Sequence, residues 1–127
     1  MLHKIFIVDD DKLFGQMLSD YLSGNKMYKV SLITTAKECL DRLHEQPDVI
    51  ILDYHLDASN KKNSDGMVVL ETIKKINNKI HVIMLSGQMH YGVAATTIAK
   101  GAEQYVIKDE EAFKNVDLII KDMTKVA

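Results

Sequence analysis

The sequence predicts an α/β protein in which five parallel strands form one doubly wound sheet, with helices on both faces. Short apolar runs of strand length recur five times along the 127 residues, and each is followed by a segment with the apolar period of a helix. Three of the runs are apolar at nearly every position, as is typical of strands buried on both faces of a parallel sheet. This regular alternation favours a single (βα)5 domain, residues 1–127.

The first βα unit begins with the apolar run Ile5–Val8 and ends at Gly24, which is placed to stop the helix. Asp11 is expected to cap this helix, because a carboxylate suits the free N–H groups of a helix N-terminus. The apolar residues predicted to share one face of the helix are Leu13, Phe14, Met17, Leu18, Tyr21 and Leu22.

In the second unit, alternation over Tyr28–Leu32 predicts a strand that is covered on one face only. Thr35 and Glu38 form a capping box that opens the next helix, and Pro47 prevents its continuation. The residues of this helix expected to face the core are Cys39, Leu40 and Leu43.

The third strand, Val49–Leu52, ends at Asp53, and a polar stretch from Asp57 to Asp65 leads to a helix that starts near Gly66. The inward residues predicted for that helix are Val69, Leu70, Ile73 and Ile76.

The fourth strand, Ile80–Leu85, ends at Ser86, and its helix runs from about Tyr91 to Lys100 before Gly101. This helix has only a weak stripe of small residues: Ala94, Ala95, Ile98 and Ala99.

The fifth strand, Gln104–Ile107, ends at Lys108, and Asp109 is predicted to cap the last helix. Its inward residues would be Phe113, Val116, Ile120 and Met123. The second strand alternates apolar and polar residues and the fifth is short, so both are predicted to be edge strands of the sheet. The strand order 2-1-3-4-5 of flavodoxin-like folds places these two strands at its edges.

Composition excludes several classes of protein. Sixteen basic and 18 acidic residues give a net charge of −2, which provides no electrostatic drive toward nucleic acid or a membrane. The single cysteine, Cys39, cannot form an internal disulfide. No apolar run approaches the roughly 20 residues of a spanning helix. A cytoplasmic location is the expectation.

Polar residues follow four of the five strands, where the carboxyl ends of parallel strands meet at one edge of the sheet. They are Asp9 and Asp10, Asp53, Ser86 and Lys108. Crowded carboxylates raise one another's pKa, and a divalent cation with oxygen ligands such as Mg²⁺ removes that conflict. No histidine or cysteine follows a strand as a general base. The set therefore suits a phosphoryl group on a carboxylate, with metal and ammonium balancing its charge.

Five motifs in order along the chain resemble the receiver domain of two-component response regulators, the CheY-like family. They are Ile7–Asp11 (IVDDD), Ile50–Asp53 (IILD), Asp65-Gly66, Met84–Gly87 (MLSG) and Gly101–Lys108 (GAEQYVIK). Each motif alone is weak, but the five occur in the family's order along the whole chain. The resemblance implies a module that assists its own phosphorylation and dephosphorylation and turns over no external substrate.

The resemblance also implies roles for individual residues. Asp53 would accept the phosphoryl group of a phosphohistidine, presented by a sensor histidine kinase or a phosphotransfer protein. Mg²⁺ would be ligated by Asp10, by Asp53 and by the backbone carbonyl of His55, with Asp9 acting mostly through water. Lys108 would pair with the carboxylate and then with the phosphoryl oxygens.

The same resemblance implies how phosphorylation would be read out. Ser86 would hydrogen-bond the phosphoryl group and move toward it, and Tyr105 would turn inward as an aromatic switch. The fourth helix, fifth strand and fifth helix would form the readout face and a possible dimer interface. The output partner or effector domain stays open, as does whether the protein is a stand-alone regulator or part of a longer chain.

Three positions depart from the family pattern. Asp57 replaces a proline that commonly follows the phosphoacceptor, and the loop from Asp53 to Gly66 is longer than usual. Asp109 follows Lys108 where many members have a cis-linked proline. A trans peptide is expected here, because a cis bond without proline costs about 3 kcal/mol.

Two other functions fit the sequence less well than a receiver domain does. An Mg²⁺-dependent phosphohydrolase with an aspartate nucleophile would carry Asp-x-Asp after its first strand, whereas Asp53 and Asp57 follow the third. A flavin-binding module would need a hydroxyl-rich phosphate loop after the first strand, where Asp9, Asp10 and Asp11 would repel a phosphate.

Overall fold

A five-stranded parallel sheet organises the protein, and its strand order is β2-β1-β3-β4-β5, as predicted. The computed structural model describes residues 2–56, 65–87 and 91–124. The strands are β1 (His3–Val8), β2 (Tyr28–Ile33), β3 (Val49–Asp53), β4 (His81–Ser86) and β5 (Gln104–Ile107). The helices are α1 (Lys12–Ser23), α2 (Ala36–Asp41), α3 (Asp65–Ile76), α4 (Tyr91–Ala99) and α5 (Ala112–Met123), with a 3₁₀ turn at Leu43–Glu45.

Two apolar clusters cover the two faces of the sheet. Ile5 and Ile7 of β1 lie in a cluster with residues of α1 and α5, whereas Phe6 and Val8 lie in one with residues of α2 and α3. Alternate residues of a strand point to opposite faces, so the continuous apolar run of β1 supplies both clusters. The doubly wound architecture is therefore confirmed.

Predicted helix ends are confirmed at three places. The Asp11 carboxylate accepts a hydrogen bond from Phe14 N at 3.1 Å, and the Thr35 hydroxyl oxygen accepts one from Glu38 N at 3.1 Å. Gly101 has a φ of +114°, a left-handed conformation that favours glycine and ends α4. The peptide between Lys108 and Asp109 is trans, as expected.

The apolar face predicted for α1 was wrong for Leu13, Met17 and Tyr21, which are exposed; Leu13 is 72% accessible as a residue. The buried residues of this helix are Gly15, Leu18 and Leu22. Gly15 explains the difference, because a Cβ at this position would lie 2.6 Å from Leu32 Cδ1 of β2. The helix approaches the sheet along its glycine side, and apolar periodicity cannot detect such an approach.

The weak stripe of small residues on α4 does not form its buried side, since Ala95, Ile98 and Ala99 are exposed. Thr97 is buried instead, and its hydroxyl donates to Ala94 O at 2.8 Å. Because its hydroxyl is hydrogen-bonded within the helix, the Thr97 side chain can be buried without leaving a polar group unsatisfied.

Two other helix predictions need smaller corrections. Ile76, the last residue of α3, is exposed. Asp109 does not cap α5, which begins at Ala112; its carboxylate accepts from Glu111 N at 2.9 Å in the preceding turn.

The extended polar loop, 57–64, lies outside the described residues. Among the helices described, none has the length and apolar character needed to cross a membrane.

Candidate functional site

The carboxyl ends of β1, β3 and β5 bring three charged side chains together, as the sequence predicted. Asp9 directly follows β1, Asp53 ends β3, and Lys108 directly follows β5. Lys108 Nζ lies 2.8 Å from Asp9 Oδ2 and 3.6 Å from Asp53 Oδ1. Asp9 and Asp53 are buried, so this ammonium balances two carboxylates that water barely reaches.

Asp10 completes a group of acidic oxygens at the same edge. Asp9, Asp10 and Asp53 each place one carboxylate oxygen within 4.8 Å of the others. Oxygen donors are what Mg²⁺ prefers, and it keeps several of its waters in protein sites. Two buried carboxylates beside the exposed Asp10 provide both the donors and a route for water. The residues present therefore fit the predicted metal.

Backbone amides hold the two buried carboxylates in place. Asp9 Oδ1 accepts a hydrogen bond from Asp11 N at 2.9 Å, and Asp53 Oδ1 accepts one from His55 N at 3.1 Å. The ligand role predicted for the His55 carbonyl stays a prediction. Hydrogen bonds that backbone N–H groups donate to carboxylate oxygens are among the stronger ones in proteins, so both side chains have a fixed orientation.

The chain after Asp53 is held from two sides. Tyr54 N donates to Leu85 O of β4 at 2.8 Å, and Gly66 N donates to Tyr54 O at 3.3 Å. A Cβ on Gly66 would lie 2.5 Å from Asp53 O and 2.6 Å from Tyr54 Cα. The start of α3 thus packs directly on the backbone that carries Asp53. The Asp65-Gly66 motif pointed to this position, but its steric reason is visible only in the structure.

Ser86 ends β4, and Tyr105 lies in β5. Ser86 is fully buried, and its carbonyl accepts from Lys108 N at 2.8 Å, so the two predicted site residues are neighbours. Tyr105 is half-buried and pairs in register with Met84, on the face that packs against α2 and α3. Its predicted movement stays a prediction.

In the absence of a bound metal, the surroundings of Asp53 favour its neutral form. Burial, and then the charge of Asp9, raise the pKa of Asp53 from 3.8 to about 7, although Lys108 and the His55 N–H oppose the shift. Burial on its own would lower the pKa of Lys108, but its hydrogen bond to Asp9 and the charge of Asp53 raise it above the ordinary value. The ammonium therefore stays charged at neutral pH.

This raised pKa predicts how stability depends on pH in the absence of metal. The folded state binds a proton at Asp53 more tightly than the unfolded state does, so stability falls as pH rises from about 4 to about 7. We expect Asp53→Asn to increase the free energy of unfolding by roughly 2 kcal/mol at about pH 8 and by much less at about pH 4. The full shift would give about 4 kcal/mol, and roughly half of it is expected because the asparagine amide does not reproduce every contact of the protonated acid.

Urea unfolding of both proteins in EDTA at the two pH values measures this difference. Asp20→Asn, at an exposed position of α1, is the matched control and should leave the pH dependence unchanged. A constant difference between Asp53→Asn and wild type at both pH values would contradict the prediction.

The sequence is similar to a known protein family and to characterised proteins over most of its length. Residues 5–119 match the family model described as the response regulator receiver domain. The chain is 26% identical over 124 residues to the chemotaxis protein CheY of Bacillus subtilis (strain 168), covering 97% of this chain and 99% of that protein. It is 28% identical over 109 residues to the nitrogen assimilation regulatory protein NtrX of Azorhizobium caulinodans, covering 85% of this chain and 23% of that protein.

Solved structures show the same fold. The BeF3-activated receiver domain of DrrB superposes with a TM-score of 0.85 at 24% identity, over 99% of this chain and 100% of that one. At this level of identity, the likeness supports the strand order and the helix placement.

Proposed function

The chain belongs to the response regulator receiver domain family, the phosphoacceptor domains of two-component signal transduction, and on this premise we propose that Asp53 is its phosphoacceptor. The observation that carries the proposal is the placement of the Asp53 carboxylate, which is 4% exposed as a residue and has Lys108 Nζ 3.6 Å away. A nucleophilic carboxylate beside a fixed ammonium suits transfer of a group that carries negative charge.

In the proposed reaction, an Asp53 carboxylate oxygen attacks the phosphorus of a phosphohistidine on a sensor histidine kinase or a phosphotransfer protein. The oxygen–phosphorus bond forms and the phosphorus–nitrogen bond breaks. The imidazole nitrogen keeps the electron pair and takes up a proton. The products are an acyl phosphate on Asp53 and a free histidine on the donor.

Mg²⁺ would be held by Asp10 and Asp53, by Asp9 through water, and by the backbone carbonyl of His55. When bound, it neutralises charge on the phosphoryl oxygens. Lys108 does the same from the β5 side, and its ion pair with Asp9 keeps it close to Asp53 both before and after the transfer.

Phosphorylation adds about −1.5 to −2 charges and new hydrogen-bond acceptors to this edge of the sheet. We propose that Ser86 binds the phosphoryl group and that Tyr105 couples this contact to a pre-existing equilibrium. The readout face in this proposal is formed by α4, β5 and α5. It would act on an effector domain or a separate partner, and a dimer through the same face belongs to this proposal.

The direct test is phosphorylation by acetyl phosphate with Mg²⁺, followed by intact-mass spectrometry. Wild type should gain the mass of one phosphoryl group, and Asp53→Asn should gain none. EDTA should slow the reaction strongly, and the control Asp20→Asn should react like wild type.

Labelling of Asp53→Asn at the wild-type rate would overturn the proposal, as would a folded wild-type protein that stays unlabelled with Mg²⁺ and donor in excess. Turnover of an added phosphate monoester would favour the phosphohydrolase alternative, which neither the geometry nor the comparisons favour.

A further inference from the structure

The ring of Phe14 faces the ammonium group of the site. Lys108 Nζ lies 4.7 Å from the centroid of this ring, within the roughly 6 Å over which a cation is attracted to an aromatic face. The side chain of Lys108 is only 16% exposed, and partial removal from water strengthens such an attraction. Nζ therefore lies between an aromatic face, the Asp9 carboxylate at 2.8 Å and the Asp53 carboxylate at 3.6 Å.

Two helices fix the orientation of the Phe14 ring. Phe14 is in the first turn of α1, and its backbone N–H is bound by the Asp11 cap. Phe113 of α5 packs against it with ring centroids 5.5 Å apart and an interplanar angle of 65°. Tyr21, two turns further along α1, contacts Phe113 at 5.6 Å. The Phe14–Phe113 pair is edge-to-face, which is a favourable arrangement, so α5 supports the ring that faces Lys108.

An aromatic face suits the task of Lys108 better than a polar group would. The ammonium has three N–H donors, which are needed for Asp9, for Asp53 and for an incoming phosphoryl group. The ring attracts the positive charge through its quadrupole and accepts no strong hydrogen bond from it. It can therefore confine Nζ near both carboxylates without withdrawing a donor from them.

We propose that Phe14 is a positioning residue for phosphoryl transfer, whose ring face holds the Lys108 ammonium beside Asp53. The inference rests on the proposed function, because it assigns a role within the same site. Phe14 acts through Lys108 and does not contact Asp53 or the donor in this role.

Fluorinated phenylalanines at position 14 test the proposal, because fluorine weakens and then reverses the ring quadrupole while the shape of the side chain is nearly kept. Mono-, tri- and pentafluorophenylalanine should slow labelling by acetyl phosphate progressively. The maximal rate should fall about three- to tenfold across the series, the range expected for one partly buried cation–π contact. The donor concentration at half-maximal rate should change little, since the ring does not bind the donor.

Natural substitutions give a second test in case a fluorinated protein folds poorly. Phe14→Leu should be slowed about as much as the pentafluoro protein, and Phe14→Tyr, which keeps an aromatic face, should stay within about twofold of wild type. Leu13→Ala, at the neighbouring exposed position, is the matched control. In proton NMR, the ε-methylene signals of Lys108 should lose their ring-current shift in Phe14→Leu and keep it in Phe14→Tyr.

A flat rate across the fluorinated series, with wild type still labelled on Asp53, would overturn this inference and leave the proposed function intact. Equal slowing by Phe14→Tyr and Phe14→Leu would also overturn it, because only Phe14→Tyr keeps an aromatic face and it should therefore stay faster. Failure of wild type to be labelled at all would instead count against the proposed function.

Discussion

Replacing Lys108 by alanine should lower the rate of Asp53 phosphorylation about 100-fold or more, the size of loss seen when one preorganised electrostatic group is removed from an active site. Lys108 Nζ is 2.8 Å from Asp9 and 3.6 Å from Asp53. Without this ammonium, charge that develops on the phosphoryl group meets two buried carboxylates unopposed. The time course of labelling by acetyl phosphate with Mg²⁺ measures the effect.

The same substitution should destabilise the protein by about 3 kcal/mol, because it leaves buried acidic groups without their partner. Lys37→Ala is the matched control. Lys37 pairs with Asp41 at the same 2.8 Å distance, but its side chain is 86% exposed, so neither labelling nor stability should change measurably.

The variant that combines Lys108→Ala with Asp9→Asn separates chemistry from folding. Removing the Asp9 charge relieves the repulsion, so stability should partly return, while labelling should stay at least as slow as in Lys108→Ala alone, since Asp9 is also proposed to help hold Mg²⁺. Recovery of the labelling rate in the double variant, or labelling of Lys108→Ala at the wild-type rate, would contradict the role of the ammonium.

Replacing Gly66 by alanine should destabilise the protein by about 2 to 3 kcal/mol, the upper part of the range for overpacked sites. The new Cβ would lie 2.5 Å from Asp53 O, 2.6 Å from Tyr54 Cα and 2.7 Å from Tyr54 O. All three are backbone atoms, so no flexible side chain can move aside. Either α3 or the chain that carries Asp53 must shift, and we expect the labelling rate to fall about tenfold as a consequence.

Gly92→Ala provides the matched control for this prediction. Gly92 lies in α4, and a Cβ there meets no atom within 4 Å. Alanine should be neutral or stabilising by about 0.5 kcal/mol, since it lowers the entropy cost of forming a helix. Urea unfolding measures both variants. Equal stability of Gly66→Ala and wild type would show that the contact with Asp53 is not tight.

The strand ends were predictable because their pattern depends on topology rather than on packing. Asp9, Asp53 and Lys108 each interrupt an apolar run at the same place, and parallel strands must bring such positions to one edge. The sequence could therefore predict the cluster of acidic groups and the ammonium beside it. It could not supply the distances, which depend on the register and on the turns that follow each strand.

Helix faces were less predictable. Leu13 and Met17 are apolar at helical spacing, yet they are exposed because Gly15 determines which side of α1 approaches the sheet. Thr97 is buried although it is polar, because it satisfies its hydroxyl within α4. The contact between Phe14 and Lys108 joins two elements far apart in sequence, and nothing in the spacing of either residue indicates it.

The most direct test of the account is to locate the phosphoryl group on the chain. Reduction of the acetyl phosphate-treated protein with borohydride converts an aspartyl phosphate into homoserine, which tandem mass spectrometry assigns to a residue. We expect homoserine at position 53 and unmodified Asp9 and Asp10. Homoserine at either of those neighbours, with Asp53 intact, would contradict it.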